Sequence, residues 1–326
     1  MRIYTPCTRK GYTELSEVSK ARAKDFGFLQ RRHEQNKRFV PNHRQAVRQY
    51  SNKIALAKNQ RGIYSLDTSI GCASGMANEV GGCYNDCYAA KAAKLYGYDF
   101  SKTVLRYFEN EYHRRRVMNQ INRIPLDFVR IGSSGDPSEN WDHTISILKQ
   151  IDKCNKQIVI ITRHWTALAD EHLQYLSTIN VCFNTSASAL DKPEVLKNCL
   201  EQYERLKPYC KSILRIVSCE FNTENETGKT LSDIQHLLFK NEDTLDTVLR
   251  VNKNNRLAKE GIIKVKQSTF LGKKALISKF NKKTYFGKCS TCHEMCGIRI
   301  SNEAHSYVGG VPLSKQLLLF TKNAKP

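Results

Sequence analysis

From Ile63 to Phe270 the chain alternates short apolar runs with longer amphipathic ones. The runs at 63–71 (IYSLDTSIG), 126–136 (LDFVRIGSSGD), 157–163 (QIVIITR), 179–188 (INVCFNTSAS), 212–221 (SILRIVSCEF) and 261–270 (GIIKVKQSTF) predict six strands. Helical patterns lie between them, over 138–154, 166–178, 192–210 and 231–240, with Ser138 or Asn140 able to cap the first. The stretch 89–121 is helical in composition and predicted to break near Gly97. Continuous Val and Ile runs flanked by helices mark strands buried on both faces, which is the pattern of a parallel sheet. The fold class is therefore α/β. Six successive β/α units fit a partial (β/α)6 TIM-like barrel or a doubly wound sheet, and both place a site at the C-terminal ends of the strands. The polar, basic residues 1–60 read as an N-terminal extension, with a basic helix over 47–58. The core is expected over 61–275 and a cysteine-rich segment over 276–326.

Five of the predicted strand ends carry polar residues or thiols: Cys72; Gly132, Ser133, Ser134, Gly135 and Asp136; Thr162 and Arg163; Asn184, Thr185 and Ser186; Cys219 and Glu220. Together they suggest a polar pocket. The 132–136 loop lacks the Lys-Ser/Thr ending of a P-loop, but it lies between a strand and a helix, so its amides can face an anion. Trp141 and Trp165 read as packing residues. Cys7, Cys154, Cys182, Cys199 and Cys210 read as dispersed thiols.

Two cysteine clusters change the picture. Cys72, Cys83 and Cys87 are spaced C-x10-C-x3-C, and Cys289, Cys292 and Cys296 are spaced C-x2-C-x3-C. Twelve cysteines in a chain with no apolar leader and no membrane-length apolar run predict a cytoplasmic protein whose thiols serve metal or redox chemistry. Three thiolates on a cubane leave one iron open, which suits a [4Fe-4S] cluster at the first triad, with zinc or simple packing as alternatives. At the second triad zinc and an iron–sulfur cluster are both open, and His293 is a candidate fourth ligand. The formal charge of +21 points to a polyanionic partner, nucleic acid or nucleotide first and a membrane surface second, with a merely solvated basic surface as the alternative. Residues 1–65 hold 15 Lys and Arg against 4 Asp and Glu, and residues 240–285 hold 12 against 4.

The triad after the first strand, with CYA at Cys87–Ala89, resembles the cysteine loop of the radical S-adenosylmethionine enzymes. That resemblance implies a partial (β/α)6 barrel, a [4Fe-4S] cluster on Cys72, Cys83 and Cys87, and S-adenosylmethionine on the open iron. It also implies a partner reductant protein and a 5′-deoxyadenosyl radical that abstracts hydrogen. The cofactor contacts it implies are the loop Gly132–Asp136 together with Arg163, Asn184, Ser186 and Arg215. The spacing departs from the usual C-x3-C-x2-C. The ordered set CY at Cys83 and CYA at Cys87, VRIGSSGD, ITR and CSTCHEMC is similar to the phage gene product eighty-eight family. It implies a phage or mobile-element origin, hence a host cytoplasm, and supplies no reaction. A non-catalytic, metal-stabilised nucleic-acid-binding protein is the alternative reading, and an iron–sulfur redox or sensor protein is a third.

Overall fold

The structure, a computed structural model, describes residues 48–79, 82–240 and 243–300. Along the chain come β1 (Ala57–Lys58), β2 (Tyr64–Ser65), β3 (Ser69–Ile70), α1 (Ala73–Asn78), α2 (Tyr88–Leu95), β4 (Val104–Leu105), α3 (Glu111–Asn122) and β5 (Phe128–Ile131). Then follow α4 (Trp141–Ile151), β6 (Gln157–Thr162), α5 (Asp170–Leu176), β7 (Val181–Ala187), α6 (Pro193–Leu206) and β8 (Lys211–Ser218). The last elements are α7 (Glu226–Leu238), β9 (Thr244–Val251), α8 (Arg256–Lys259), β10 (Lys266–Phe270) and β11 (Lys273–Ser278).

The protein is a mixed α/β fold around one nine-stranded, mostly parallel sheet, ordered β1-β2-β5-β6-β7-β8-β9-β11-β10. From β2 to β9 every neighbouring pair is parallel and the order follows the chain without reversal. A reversal is what would create the switch point of a doubly wound sheet. β1 and the β10–β11 hairpin are added antiparallel at the two edges.

Alternation along the strands separates two faces. Val129, Ile131, Ile158, Ile160, Val181 and Phe183 turn to one side, where they pack with Ile145, Leu148, Ile151, Leu173 and Leu176 of α4 and α5. Each such fully buried aliphatic side chain stabilises the fold by about 1.5–3 kcal/mol. The residues between them, Phe128, Val159, Cys182, Ile213 and Leu245, form an apolar layer on the opposite face. Among the described residues no long helix covers that layer. The segment around Cys289, Met295, Cys296, Ile298 and Ile300 packs on it instead.

Several expectations are corrected. The run 63–71 is two short strands, because Asp67 and Thr68 turn out of the sheet to bond the loop after β5 and Thr144. Residues 48–58 form no helix. They lie extended against 97–107, with Arg48 N donating to Gly97 O at 3.0 Å and Ile54 N to Tyr107 O at 3.0 Å. The break in 89–121 holds β4 as well as Gly97. The sixth parallel strand is β9. The expected strand 261–270 shrinks to β10, which pairs antiparallel. Asn140, not Ser138, caps α4, accepting from His143 N at 2.9 Å. Cys7 and most of the basic extension lie outside the described residues, as does the stretch of 276–326 beyond residue 300. No helix among the described residues is long and apolar enough to cross a membrane.

Candidate functional site

The face opposite α4 and α5 opens, above its apolar layer, into a cavity of about 770 Å3, with α2 contributing Tyr88, Ala89, Lys91 and Ala92 to its wall. All six cysteines of the two triads line it: Cys72, Cys83 and Cys87 from the segment around α1 and α2, and Cys289, Cys292 and Cys296 from the C-terminal segment. The eleven cysteines among the described residues are all free thiols.

The first triad is strung along residues 72–87: Cys72 is the N-cap of α1, Cys83 lies between α1 and α2, and Cys87 is the N-cap of α2. Glycines leave room for its sulfurs. A Cβ on Gly75 would meet Cys72 Sγ at 2.8 Å. Gly82 has φ +78, and a Cβ there would meet Cys87 Cβ at 2.7 Å. Glu139 holds the start of the loop: it accepts from Ser74 N at 2.9 Å, Thr103 Oγ1 at 3.1 Å and the Cys72 thiol at 3.5 Å. Tyr84, between the second and third cysteine positions, stands in the left-handed region and accepts a hydrogen bond from Arg163 Nη1. Arg163 also pairs with buried Asp191 and lies over the rings of Tyr84 and Trp165. Asp86 accepts from Lys91, from Asn252 and from Asn255, which ties the loop to the end of β9. The loop is thus anchored at the ends of β6, β7 and β9.

Burial pushes the Cys83 thiol up to about 12, against the pull of Arg163. Burial, reinforced by the Asp136 and Glu139 carboxylates, pushes Cys72 higher still. Alone, these thiols are protonated at neutral pH. A bound cation is the agent that would convert them to thiolate ligands. Among the described residues, no three His, Cys, Asp or Glu side chains converge on one point close enough to hold a metal ion. A metal would have to draw the thiols together. The donor set fits a thiolate-held group in its chemistry, since three cysteines from one braced loop face one cavity.

The second triad is bolted to the sheet through its backbone. Asn184 Nδ2 donates to Cys296 O at 3.0 Å, Cys289 N to Arg61 O at 2.8 Å, and Lys211 Nζ to Ile298 O at 2.7 Å. Asn184, expected at a cofactor, therefore serves this segment.

The loop expected to bind an anion already holds one. The amides of Gly132, Ser133 and Ser134 donate to the Asp67 carboxylate at 3.1, 2.8 and 3.0 Å. Asp136 lines the cavity, but its carboxylate is spent internally, accepting from Ser138 N and Oγ, Thr162 Oγ1 and Arg163 N. Gly135 forms a parallel bridge with Gly71. Ser186, Arg163 and Arg215 line the cavity as their strand ends imply. Cys219 and Glu220 do not; they bond Gln235 and Lys266. Trp141 packs in the core as expected, whereas Trp165 lines the cavity beside Cys72. Cys154 and Cys210 are half-buried, and Cys182 and Cys199 are fully buried.

Sequence reasoning missed Asp67, Tyr84, Asp86, Arg130, Glu139, Asp191 and Arg250. Arg130 shares a strand face with Phe128 and Gly132, so the period of two alone would have placed it in the cavity. Comparison with known proteins adds no relative: no family model, no curated protein and no solved structure matches the chain.

Proposed function

We propose that the protein is an iron–sulfur enzyme of radical S-adenosylmethionine type on a partial (β/α)6 barrel, related to the phage family named above. The observation that carries this reading is that both cysteine triads line one cavity, which reaches the C-terminal ends of β5 and β6. Supporting the barrel is the unreversed strand order, with helices on one face and the cavity on the other.

Cys72, Cys83 and Cys87 would hold a [4Fe-4S] cluster. When bound, such a cluster supplies an electron, taken from a reductant protein, to a sulfonium cofactor at its open iron. The chain's own part is positional. Tyr84, Arg163 and Asp191 brace the loop from one side and Asp86, Asn252 and Asn255 from the other, so the thiols face the cavity rather than solvent. Gly75 and Gly82 leave the volume the sulfurs need. Cys289, Cys292 and Cys296 would hold a second cluster or a zinc, pinning the C-terminal segment onto the apolar layer.

The test is anaerobic purification of the full chain with iron, sulfide and zinc counts, followed by electron paramagnetic resonance with and without S-adenosylmethionine. The expected result is a reduced [4Fe-4S] signal that shifts on adding S-adenosylmethionine, and that Cys83→Ala abolishes without unfolding the protein. Zinc alone after anaerobic reconstitution would overturn the enzyme reading and favour a metal-stabilised nucleic-acid-binding protein.

A further inference from the structure

The cavity between the triads is lined by Arg61, Arg130, Arg215 and Arg250, and among the described residues none of these four is ion-paired. Arg163, in the same wall, shows what compensation looks like: its charge meets Asp191. Arg130 donates only to a neutral partner, Ser133 Oγ, at 3.0 Å from Nε and 2.8 Å from Nη2. Arg61 Nε donates to the neutral Gly287 O at 3.1 Å. Arg250 lies over the rings of Tyr88 and Phe270, 5.4 and 5.2 Å from their centroids.

The carboxylates nearby are engaged. Asp67, which acts on Arg130, is held by the amides of residues 132–134. Asp246 is held by Ser218 and Thr284. Glu294 also lines the cavity, as a single negative charge acting on Arg215 and beside the Cys292 thiol. Desolvation, with repulsion from Arg130 and Arg61, pulls Arg215 below the usual guanidinium range, and desolvation with Arg61 does the same to Arg250. Arg130 goes the other way: burial pulls it down, but Tyr88, Cys296 and Asp67 together hold it above its usual range. The charges left short of compensation are those of Arg215 and Arg250, and an anion between these guanidiniums would offset them.

We propose that this arginine cluster is a binding site for the phosphate groups of a nucleotide, with its base against the aromatic rim. Guanidinium forks match phosphate oxygens in pairs. The volume falls in the range of sites that enclose small molecules, roughly 300–1,000 Å3. Tyr96 lines the cavity and is 59% exposed, giving a ring on which a base can stack, while Tyr88, 51% exposed, has Arg250 over its ring. The site rests on the cavity alone and does not depend on the iron–sulfur reading.

The experiment is calorimetric titration of the anaerobically purified full chain, its iron content measured in parallel, with inorganic pyrophosphate, ADP, adenosine and a 5′-phosphorylated single-stranded oligonucleotide. Pyrophosphate and ADP are expected to bind saturably at one site, ADP more tightly, and adenosine much more weakly than either. Arg215→Gln and Arg250→Gln should each weaken pyrophosphate at least tenfold, and Arg215→Lys less. Arg250 lies on the cavity wall over two rings, so its variant tests the site even if an Arg215 variant fails to fold. An oligonucleotide that displaces pyrophosphate and is weakened by the same substitutions makes the ligand a strand end; failure to displace it makes the ligand a free nucleotide, and both support the site. Unchanged pyrophosphate binding in both Gln variants overturns it. So does absent binding in the wild type; arginine variants that then also lose iron would show that the arginines balance a cluster instead. Binding by iron-free protein supports the site while counting against the iron–sulfur reading, so the two can fail separately.

Discussion

Arg163 sends its guanidinium into the cavity wall, where it meets Asp191 and the Tyr84 hydroxyl. Both charged partners are almost completely buried. Removing one member of such a pair leaves the other desolvated and alone, at a cost of about 3–5 kcal/mol. Arg163→Met should therefore destabilise the protein by about that amount in urea titration. Tyr84→Phe, which deletes only one hydroxyl, should cost less, and equal losses would show that the Asp191 pair carries nothing. The next residue, His164, has the opposite character. It is fully buried at φ +50, stacked on Phe183, with Nε2 bonded to Thr185 Oγ1 at 3.0 Å. Burial, helped by Arg205, lowers its pKa from 6.5 to about 3. The unfolded chain thus binds the proton first. The stability this neutral histidine contributes is complete above pH 6.5 and is lost as pH falls toward 3. His164→Asn, which tolerates the left-handed backbone, should flatten that part of the urea-midpoint profile; parallel profiles for the two proteins would refute the assignment.

At the level of elements, β6, β7 and β8 were legible because each is a nearly continuous apolar run closed by polar residues. Their period of two also put Arg163, Ser186 and Arg215 on the cavity face. β9 was not legible: TLDTVLRV intersperses Thr, Asp and Arg, because four of its eight side chains are only half-buried. Missing it also hid Arg250. The loop partners Asp67, Glu139 and Asp191 were hidden for another reason. Each is a lone carboxylate whose role is set by contacts 28 to 67 positions away, which no local pattern encodes. The C-terminal segment was legible as a metal candidate but not as a plug. Its packing rests on Asn184 and Lys211 gripping backbone carbonyls across the sheet face. Asn184→Leu with Lys211→Met should release it, seen as faster amide exchange over residues 289–300 with no change in α4 or β6. Unchanged exchange would mean that the apolar contacts of Met295, Ile298 and Ile300 hold the segment without these bonds.

For the whole molecule, the two triads line one cavity but are fixed to the fold in different ways. The loop carrying Cys72, Cys83 and Cys87 has its own braces, through Arg163 to β6 and β7 and through Asp86 to the end of β9. It should keep its place whether or not its thiols hold a metal. The segment carrying Cys289, Cys292 and Cys296 covers the apolar layer of Phe128, Val159, Cys182, Ile213 and Leu245, and among the described residues it contains no helix longer than three residues. Short irregular segments of this kind gain most from a metal crosslink, because the metal's binding free energy adds directly to folding. If the proposed centres are present, replacing Cys72, Cys83 and Cys87 together with Ser should thus remove the first and its spectroscopic signal while shifting the melting temperature little. Replacing Cys289, Cys292 and Cys296 with Ser should remove the other centre, lower the melting temperature clearly, and increase binding of a hydrophobic dye to the uncovered layer. Chelation of the wild type should reproduce the second variant's instability. If the first triad's variant is the one that melts early, the braces around Tyr84 and Asp86 do not hold the loop, and the division between a working triad and a fastening triad is wrong.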